Sequence, residues 1–410
     1  MKMLRLDTQF AIYNLASTRL FKVVSLSELI AKGTATCAGP ASLGDLMLWI
    51  ENPAALEQLS VPLPVGGLLF PFPVTHLPSF HGPQLTNPMD ARVVQPGDVI
   101  VVSPSSSVVR VLYRRGSNSN LLFMTDRCNS LCLMCSQPPK EIDDSWHVDE
   151  NLRLIDLLDP GDEQLGISGG EPTLYREGLL QILEKAKHEV PEKSIHLLSN
   201  GRLLHDSFWV KALSQIDHPK LTWGIPLYAD NASDHDHVVQ AQGAFSETMR
   251  GIYNLARARQ RIEIRVVLSR LTTARLPELA HFIFRNMPFV EHVALMGIEN
   301  MGLAKKNYNE LWIDPVDYQE ELSQAAHFLD ARGIIVSVYN LPLCTTRTSL
   351  MPFYRKSISD WKNLFITSCQ KCAGVRECAG FFKSHSSRWQ SRGIRPLTEA
   401  ELVSYTRRRT

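Results

Sequence analysis

Cysteines 128, 132 and 135 carry the clearest chemistry in this sequence. In Arg127-Cys128-Asn129-Ser130-Leu131-Cys132-Leu133-Met134-Cys135 they stand in a C-x3-C-x2-C spacing. The apolar run Leu121-Leu122-Phe123-Met124 before them reads as a strand, and polar, proline-containing Ser136 to Lys140 follows, so the thiols belong to one loop. Such a loop can bring its sulfurs to one metal centre and leave a coordination position without a protein ligand. A structural zinc site closes its sphere with four ligands, and an electron-transfer cluster takes four cysteines. A three-cysteine loop suits a [4Fe–4S] cluster whose remaining iron binds something else. A zinc loop and separate core thiols are the competing readings.

A second group, Cys369-Gln370-Lys371-Cys372 with Cys378, is preceded by Cys344. These thiols would fully ligate one further [4Fe–4S] cluster; a four-cysteine zinc site is the alternative, and the first site favours iron–sulfur because it already implies that cofactor supply. Cys37 stands alone and reads as a packed thiol. Ser168-Gly169-Gly170-Glu171-Pro172 joins two glycines, which let a ligand approach the backbone, to a carboxylate able to bind an ammonium group. Ser199-Asn200-Gly201 is first of all a turn signal. Arg265, inside Ile264-Arg265-Val266, is unusual for a buried strand and has two readings, pairing with a ligand carboxylate or with a neighbouring acid. His235-Asp236-His237 reads as a polar loop that either handles protons or carries no chemistry.

These residues need positioning elements. Strands are expected at Leu121–Thr125, Gln164–Ser168, Ser194–Ser199, Leu221–Leu227, Ile262–Leu268 and His292–Met296. Amphipathic helices are expected between them at Tyr175–Glu189, Ser207–Gln215, Phe245–Arg259 and Ala274–Asn286, with another from Asp314-Pro315 to about Arg332. The alternation predicts an α/β fold of parallel strands with crossover helices, closed or partly closed as a barrel, with the chemistry on the loops after the strands. Ahead of it, Leu20 to Leu29 reads as a strand and a short helix, Gly44 to Leu59 as a helix broken at Pro53, and Asp98–Val102 with Val108–Tyr113 as a β-hairpin. Three regions follow: an N-terminal β-containing domain (1–115) that is a recognition module or a structural cap, a barrel (116–340), and a Cys-rich C-terminal segment (341–410).

Composition limits the function. At 410 residues, 44% hydrophobic and 21% charged, the chain is long and apolar enough for a folded protein of two or three domains. A net charge of +1 gives no electrostatic reason to expect nucleic acid. No run reaches the apolar length that spans a bilayer, and Met1 to Lys22 lacks a signal-peptide core. Eight cysteines, clustered in metal-ligand spacings, then fit a reducing cytoplasm.

The C-x3-C-x2-C loop followed by Gly169-Gly170-Glu171 resembles the signature of the radical S-adenosylmethionine (SAM) enzymes. More narrowly, Leu122 to Pro139, His292–Gly297, Leu311–Pro315, Ser357–Asn363 and Cys378–Phe382 resemble the His-Xaa-Ser system radical SAM maturases, the C-type member of that pair. The resemblance implies a partial (β/α)6 radical SAM barrel with a SPASM-like auxiliary segment. It implies a SAM-binding [4Fe–4S] cluster on Cys128, Cys132 and Cys135, with Gly169, Gly170 and Glu171 holding the methionyl amine of SAM. Ser199 and Asn200 are implied as contacts to its ribose or carboxylate, Met134 and Gly297 as neighbours of its adenine, and Arg265 as one partner for its carboxylate; Glu299 is equally a solvated or structural acid. Two positions depart from the pattern: Met134 stands where the family usually has an aromatic, and Phe382 stands where SPASM segments have a further cysteine, which argues against two auxiliary clusters. The implied partners are a ribosomally made peptide with His-Xaa-Ser repeats, a partner radical SAM protein and an electron donor such as flavodoxin or ferredoxin. The rival functions are a radical SAM enzyme acting on a small molecule or RNA, a cluster-retaining scaffold for a second enzyme, and a zinc-dependent binding protein.

Overall fold

The computed structural model describes residues 6–34, 42–52, 65–356 and 364–406. Cys37, Pro53 and the Ser357–Asn363 stretch lie outside the described residues. Two sheets organise the chain. The first contains β1 (Leu6–Gln9), β2 (Ala11–Tyr13), β3 (Arg19–Val24), β4 (Leu46–Trp49), β5 (Gly67–Leu69), β6 (Gln84–Thr86), β7 (Val99–Ser103) and β8 (Val108–Tyr113), in the order β1-β8-β7-β3-β4-β5-β6-β2. The expected hairpin is β7 against β8, antiparallel, with Val102 opposite Val109.

The helix expected over residues 44–59 is corrected where it is described, because Leu46-Met47-Leu48-Trp49 forms β4 between β3 and β5. A short apolar run cannot be told from a buried helix by periodicity. Burial on both faces decides it: Met47 packs with Phe21, Val23 and Leu69, while Leu46 and Leu48 pack with Val24, Leu68 and Phe70.

The second sheet is parallel and nearly closes into a barrel: β9 (Asn120–Phe123), β10 (Gln164–Ser168), β11 (Ser194–Leu198), β12 (Leu221–Pro226), β13 (Arg261–Leu268), β14 (His292–Gly297) and β15 (Ile335–Tyr339), adjacent in chain order. It therefore has seven strands where six were expected; the addition, β15, follows directly on the last crossover helix. The expected helices form at Arg176–Glu189, Ser207–Ile216, Ala244–Arg257, Leu276–Asn286 and Gln319–Asp330, and a further one forms at Trp146–Asp156. Period-two alternation sorts the strand residues. Leu165, Ile167, Ile195, Leu197, Ile264, Val266, Val293, Leu295, Val336 and Val338 join the core beneath the helices.

The opposite faces build a polar barrel floor. Glu263 sits 3.2 Å from His196 Nε2 on β11 and 2.6 Å from His292 Nδ1 on β14, and it accepts from Arg265 at 2.5 Å. Gly224 of β12 makes room for this, since a Cβ there would stand 2.9 Å from His196 Nε2 and 3.1 Å from Arg265 Cδ. Burial alone would raise the Glu263 carboxyl, but His196, His292 and Arg265 hold it well below the usual carboxylate range.

Ion pairs tie together loops around the two sheets. Lys22 of β3 is 2% exposed and bonds Leu157 O at 2.9 Å and the Asp159 carboxylate. Arg115 bridges Asp159 and Glu28, while Lys193 pairs with Glu163 at 2.6 Å. No helix among the described residues is long and apolar enough to cross a membrane.

Candidate functional site

The three-cysteine loop leaves β9 at its C-terminal end and is held from every side. Asp144, 2% exposed, accepts from Thr125 Oγ1 (2.8 Å), Asp126 N (2.6 Å) and Tyr175 OH (2.8 Å), which fixes the entry to the loop. Farther on, Leu131 N and Leu133 N donate to the carbonyls of Val239 and Val238, the end of the helix Ala232–Val239. Arg202 donates to Asn129 O and to Ser130 Oγ (3.1 Å) while pairing with Glu247 at 2.7 Å. Asn307 Nδ2 caps Leu133 O at 2.9 Å, and Leu303 N donates to Cys135 O at 2.8 Å. Gly302, at φ +55°, permits that last approach, since a Cβ on it would meet Cys135 O at 2.4 Å. Sequence reasoning missed Asp144, Arg202, Gly302 and Asn307. Only Arg202, directly after the Asn200-Gly201 turn, had a local signal.

Gly169 and Gly170 stand where two loops cross. Their loop crosses the base of the cysteine loop, with Gly170 N donating to Thr125 O (2.6 Å) and Glu171 N to Arg127 O (2.8 Å). A Cβ on Gly169 would lie 2.5 Å from Thr125 O, and one on Gly170 2.1 Å from Arg127 O. The missing side chains let two loops touch.

The Glu171 carboxylate is fully buried and faces protein donors. Thr173 N (3.0 Å), Thr173 Oγ1 (2.6 Å) and Ser199 Oγ (2.8 Å) donate to Oε1, and Asn200 N (2.6 Å) donates to Oε2. Burial pushes its carboxyl up against the pull of these bonds. Ser199 and Asn200 are thereby tied to Glu171, and Asn200 Nδ2 reaches Asn129 Oδ1 (2.6 Å) and Cys128 Sγ (3.8 Å). The turn after β11 is thus part of the thiol surroundings.

The remaining expected residues scatter around this centre. Met134 is buried against Tyr228, Val238 and Trp389. Arg265 takes the neighbouring-acid alternative, pairing with Glu263, and its other nitrogen lies 3.1 Å from Met296 Sδ. Gly297 packs against Asn340 O, 2.6 Å from where its Cβ would be, and lines a cavity that includes Trp312, Phe381 and Trp389 rather than the thiols.

His235-Asp236-His237 is helical, not a loop. His235 is buried, accepts from Tyr228 N at 3.3 Å and is pushed down to about 4 by burial. Asp236 accepts from Gly243 N and Phe245 N, and His237 pairs with Glu310 on the surface.

The thiols share one electrostatic neighbourhood. Burial lifts Cys128 to about 11, with the Glu171 charge adding to it. Cys132 is raised by burial and then by Cys135 and Cys128, and Cys135 by burial; Cys135 Sγ donates to Gln137 O at 2.9 Å. A metal must displace these protons, because only the thiolate ligates. This donor set fits a cluster bound through three protein sulfurs.

The second group surrounds one small cavity lined by Cys344, Cys369, Cys372 and Cys378. Backbone N–H groups point at its sulfurs: Leu343 N (3.2 Å) and Gly380 N (3.3 Å) donate to Cys378 Sγ, and Leu397 N (3.2 Å) to Cys372 Sγ. Such donors stabilise negative sulfur and are the usual surroundings of iron–sulfur thiolates. In neither group do three ligating side chains close to the spacing of one bare ion, among the described residues. The cysteines described are all free thiols.

Comparison with known proteins places this loop in a family. Residues 122–283 match the Radical SAM superfamily. Among curated proteins, the GTP 3',8-cyclase of Aquifex aeolicus (strain VF5) is 25% identical over 193 residues, 45% of this chain and 57% of that protein. The GTP 3',8-cyclase of Desulforamulus reducens (strain ATCC BAA-1160 / DSM 100696 / MI-1) is 33% identical over 97 residues, 22% of this chain and 29% of that protein. The chain thus spans less than two thirds of the length of these curated relatives. Among solved structures, native anSMEcpe with bound AdoMet and Cp18Cys peptide aligns over 70% of this chain and 93% of its own, at 16% identity and a TM-score of 0.46. Streptococcus suis SuiB bound to S-adenosylmethionine aligns over 60% and 52%, at 14% identity and a TM-score of 0.43. The three-cysteine loop stands at the head of the matched residues, 122–283.

Proposed function

We propose that the chain is a cytoplasmic radical SAM peptide maturase that modifies a ribosomally made peptide with His-Xaa-Ser repeats. The observation that carries this is the pairing of two thiol groups, a three-cysteine loop at the end of β9 and a four-cysteine cavity behind β15. Cys128, Cys132 and Cys135 would hold a [4Fe–4S] cluster, and Cys344, Cys369, Cys372 and Cys378 a second one. Held there with SAM bound, the first cluster would supply reductive SAM cleavage and hydrogen-atom abstraction chemistry.

The protein's own part is geometric. Asp144, Arg202 and Asn307 hold the loop, Glu171 ties it to the turn Ser199-Asn200, and the buried surroundings exclude water. Gly169, Gly170, Glu171, Ser199, Asn200, Arg265, Met134 and Gly297 remain the proposed SAM-contacting set, with Ser199 and Asn200 positioned by Glu171. The resemblance to His-Xaa-Ser maturases supports the peptide, a partner radical SAM protein and a flavodoxin or ferredoxin donor. A small-molecule substrate is the second reading, favoured by the two curated relatives, both named GTP 3',8-cyclase.

Anaerobic reconstitution with SAM, reductant and a His-Xaa-Ser repeat peptide tests the proposal. The expected result is 5′-deoxyadenosine together with a peptide mass change of lost hydrogens. Turnover of GTP with an untouched peptide would replace it by the second reading.

A further inference from the structure

The largest cavity described here, about 350 Å³, is not assigned to any step above. It lies between the two sheets. Arg110, Val111 and Leu112 of β8 wall one side, and His147, Glu150, Asn151 and Leu154 of the helix Trp146–Asp156 wall the other. Leu121 and Phe123 of β9 line it as well, and one end opens on Asp126, Ser136, Gln137 and Pro138, the two flanks of the cysteine loop.

β9 is the edge of the barrel sheet; its single strand neighbour among the described residues is β10. Met124 N donates to Ser168 O on the β10 side. Backbone groups alternate along a strand, so those of Leu122 also face β10 while the N–H groups of Leu121 and Phe123 face away from it, into the cavity. Asn151 Nδ2, bonded to Phe123 O at 2.9 Å, marks the same direction.

Natural edges are guarded by charges, prolines or bulges. This one carries Leu121 and Phe123 and borders the cavity, with Asn151 Nδ2 bonded to the Phe123 carbonyl. A recessed edge with open N–H groups is a template for one extended chain. The walls of the cavity prevent edge-to-edge pairing with a second folded copy, and their charges balance: Arg110 pairs with Glu150 at 3.3 Å, and Lys140 with Asp126 at 2.7 Å. That balance suits a polar peptide and not a polyanion. Next to His147, Trp146 keeps 51% of its surface exposed, with its ring tilted over the imidazole at a centroid distance of 3.7 Å.

We infer that the peptide substrate adds to β9 as an extra strand, and that this pairing feeds its next residues past Asp126 and Gln137 to the thiol loop. The inference rests on the peptide reading above. Amide hydrogen exchange on the metal-loaded full chain, with and without the His-Xaa-Ser repeat peptide, tests it. The amides of Leu121 and Phe123 are expected to slow about tenfold, while those of Leu122 and Met124, already bonded to β10, stay as they are. A peptide that is modified while Leu121 and Phe123 exchange unchanged overturns the strand addition and leaves the peptide reading standing. A peptide neither bound nor modified defeats both. Leu121→Pro removes a cavity-facing N–H and spares the β10 ladder; with iron content and thermal unfolding confirming that the variant folds, its peptide Kd is expected to rise about tenfold, a loss of ~1.4 kcal/mol. An unchanged Kd counts against the inference.

Discussion

The two cysteine groups solve different problems. Around Cys128, Cys132 and Cys135 the protein spends its hydrogen bonds on the loop's backbone, from Arg202, Asn307, Leu303 and the Val238–Val239 carbonyls. Around Cys344, Cys369, Cys372 and Cys378 it aims backbone N–H groups at the sulfurs themselves. The first group fixes where three sulfurs stand mainly through bonds to the loop, with Asn200 Nδ2 also reaching Cys128 Sγ at 3.8 Å. The second stabilises negative charge on sulfur from the protein side and supplies a complete ligand set. An open centre needs a rigid frame, and a closed one needs charge compensation.

Mutations separate the two. The largest effect belongs to alanine at Cys128, Cys132 and Cys135 together, which is expected to abolish 5′-deoxyadenosine formation by the reduced protein; retained cleavage would erase the contrast. Alanine at Cys369 and Cys372 comes next. It is expected to remove about half of the bound iron and to spare SAM cleavage, as read by metal analysis and nucleoside chromatography. Full iron with zinc at the second group would instead make that group a structural zinc site. The smallest effect is Arg202→Ala, which removes two hydrogen bonds to the loop and leaves Glu247 without this partner. A stability loss of about 1–3 kcal/mol in chemical denaturation is expected, with iron lost from the first group and kept by the second. Equal loss from both would show that the frame is shared.

Much of this was legible in the sequence because spacing along one loop survives folding. The C-x3-C-x2-C stretch, the strand before it and the alternating strands and helices all stand where their local patterns put them. What was hidden depends on chain crossings. The use of Gly169 and Gly170 is set by Thr125 and Arg127, on a neighbouring loop that no local pattern reveals. Two of the donors to the Glu171 carboxylate, from Ser199 and Asn200, lie far along the chain, beside the two from nearby Thr173. Arg265 had two readings until Glu263, two residues earlier on the same strand face, was seen to be buried beside it. β4 was misread because a short run with both faces buried shows no period.

Gly224 sets how deep the barrel can be used. By carrying no side chain it admits the His196–Glu263–Arg265 assembly across the middle of the sheet, and Arg265 also acts electrostatically on Tyr228, near the cysteines. The Arg265 guanidinium therefore sits between Glu263 and Met296. A bulkier residue at 224 would push that charged group aside and change the kind of group the barrel tolerates there.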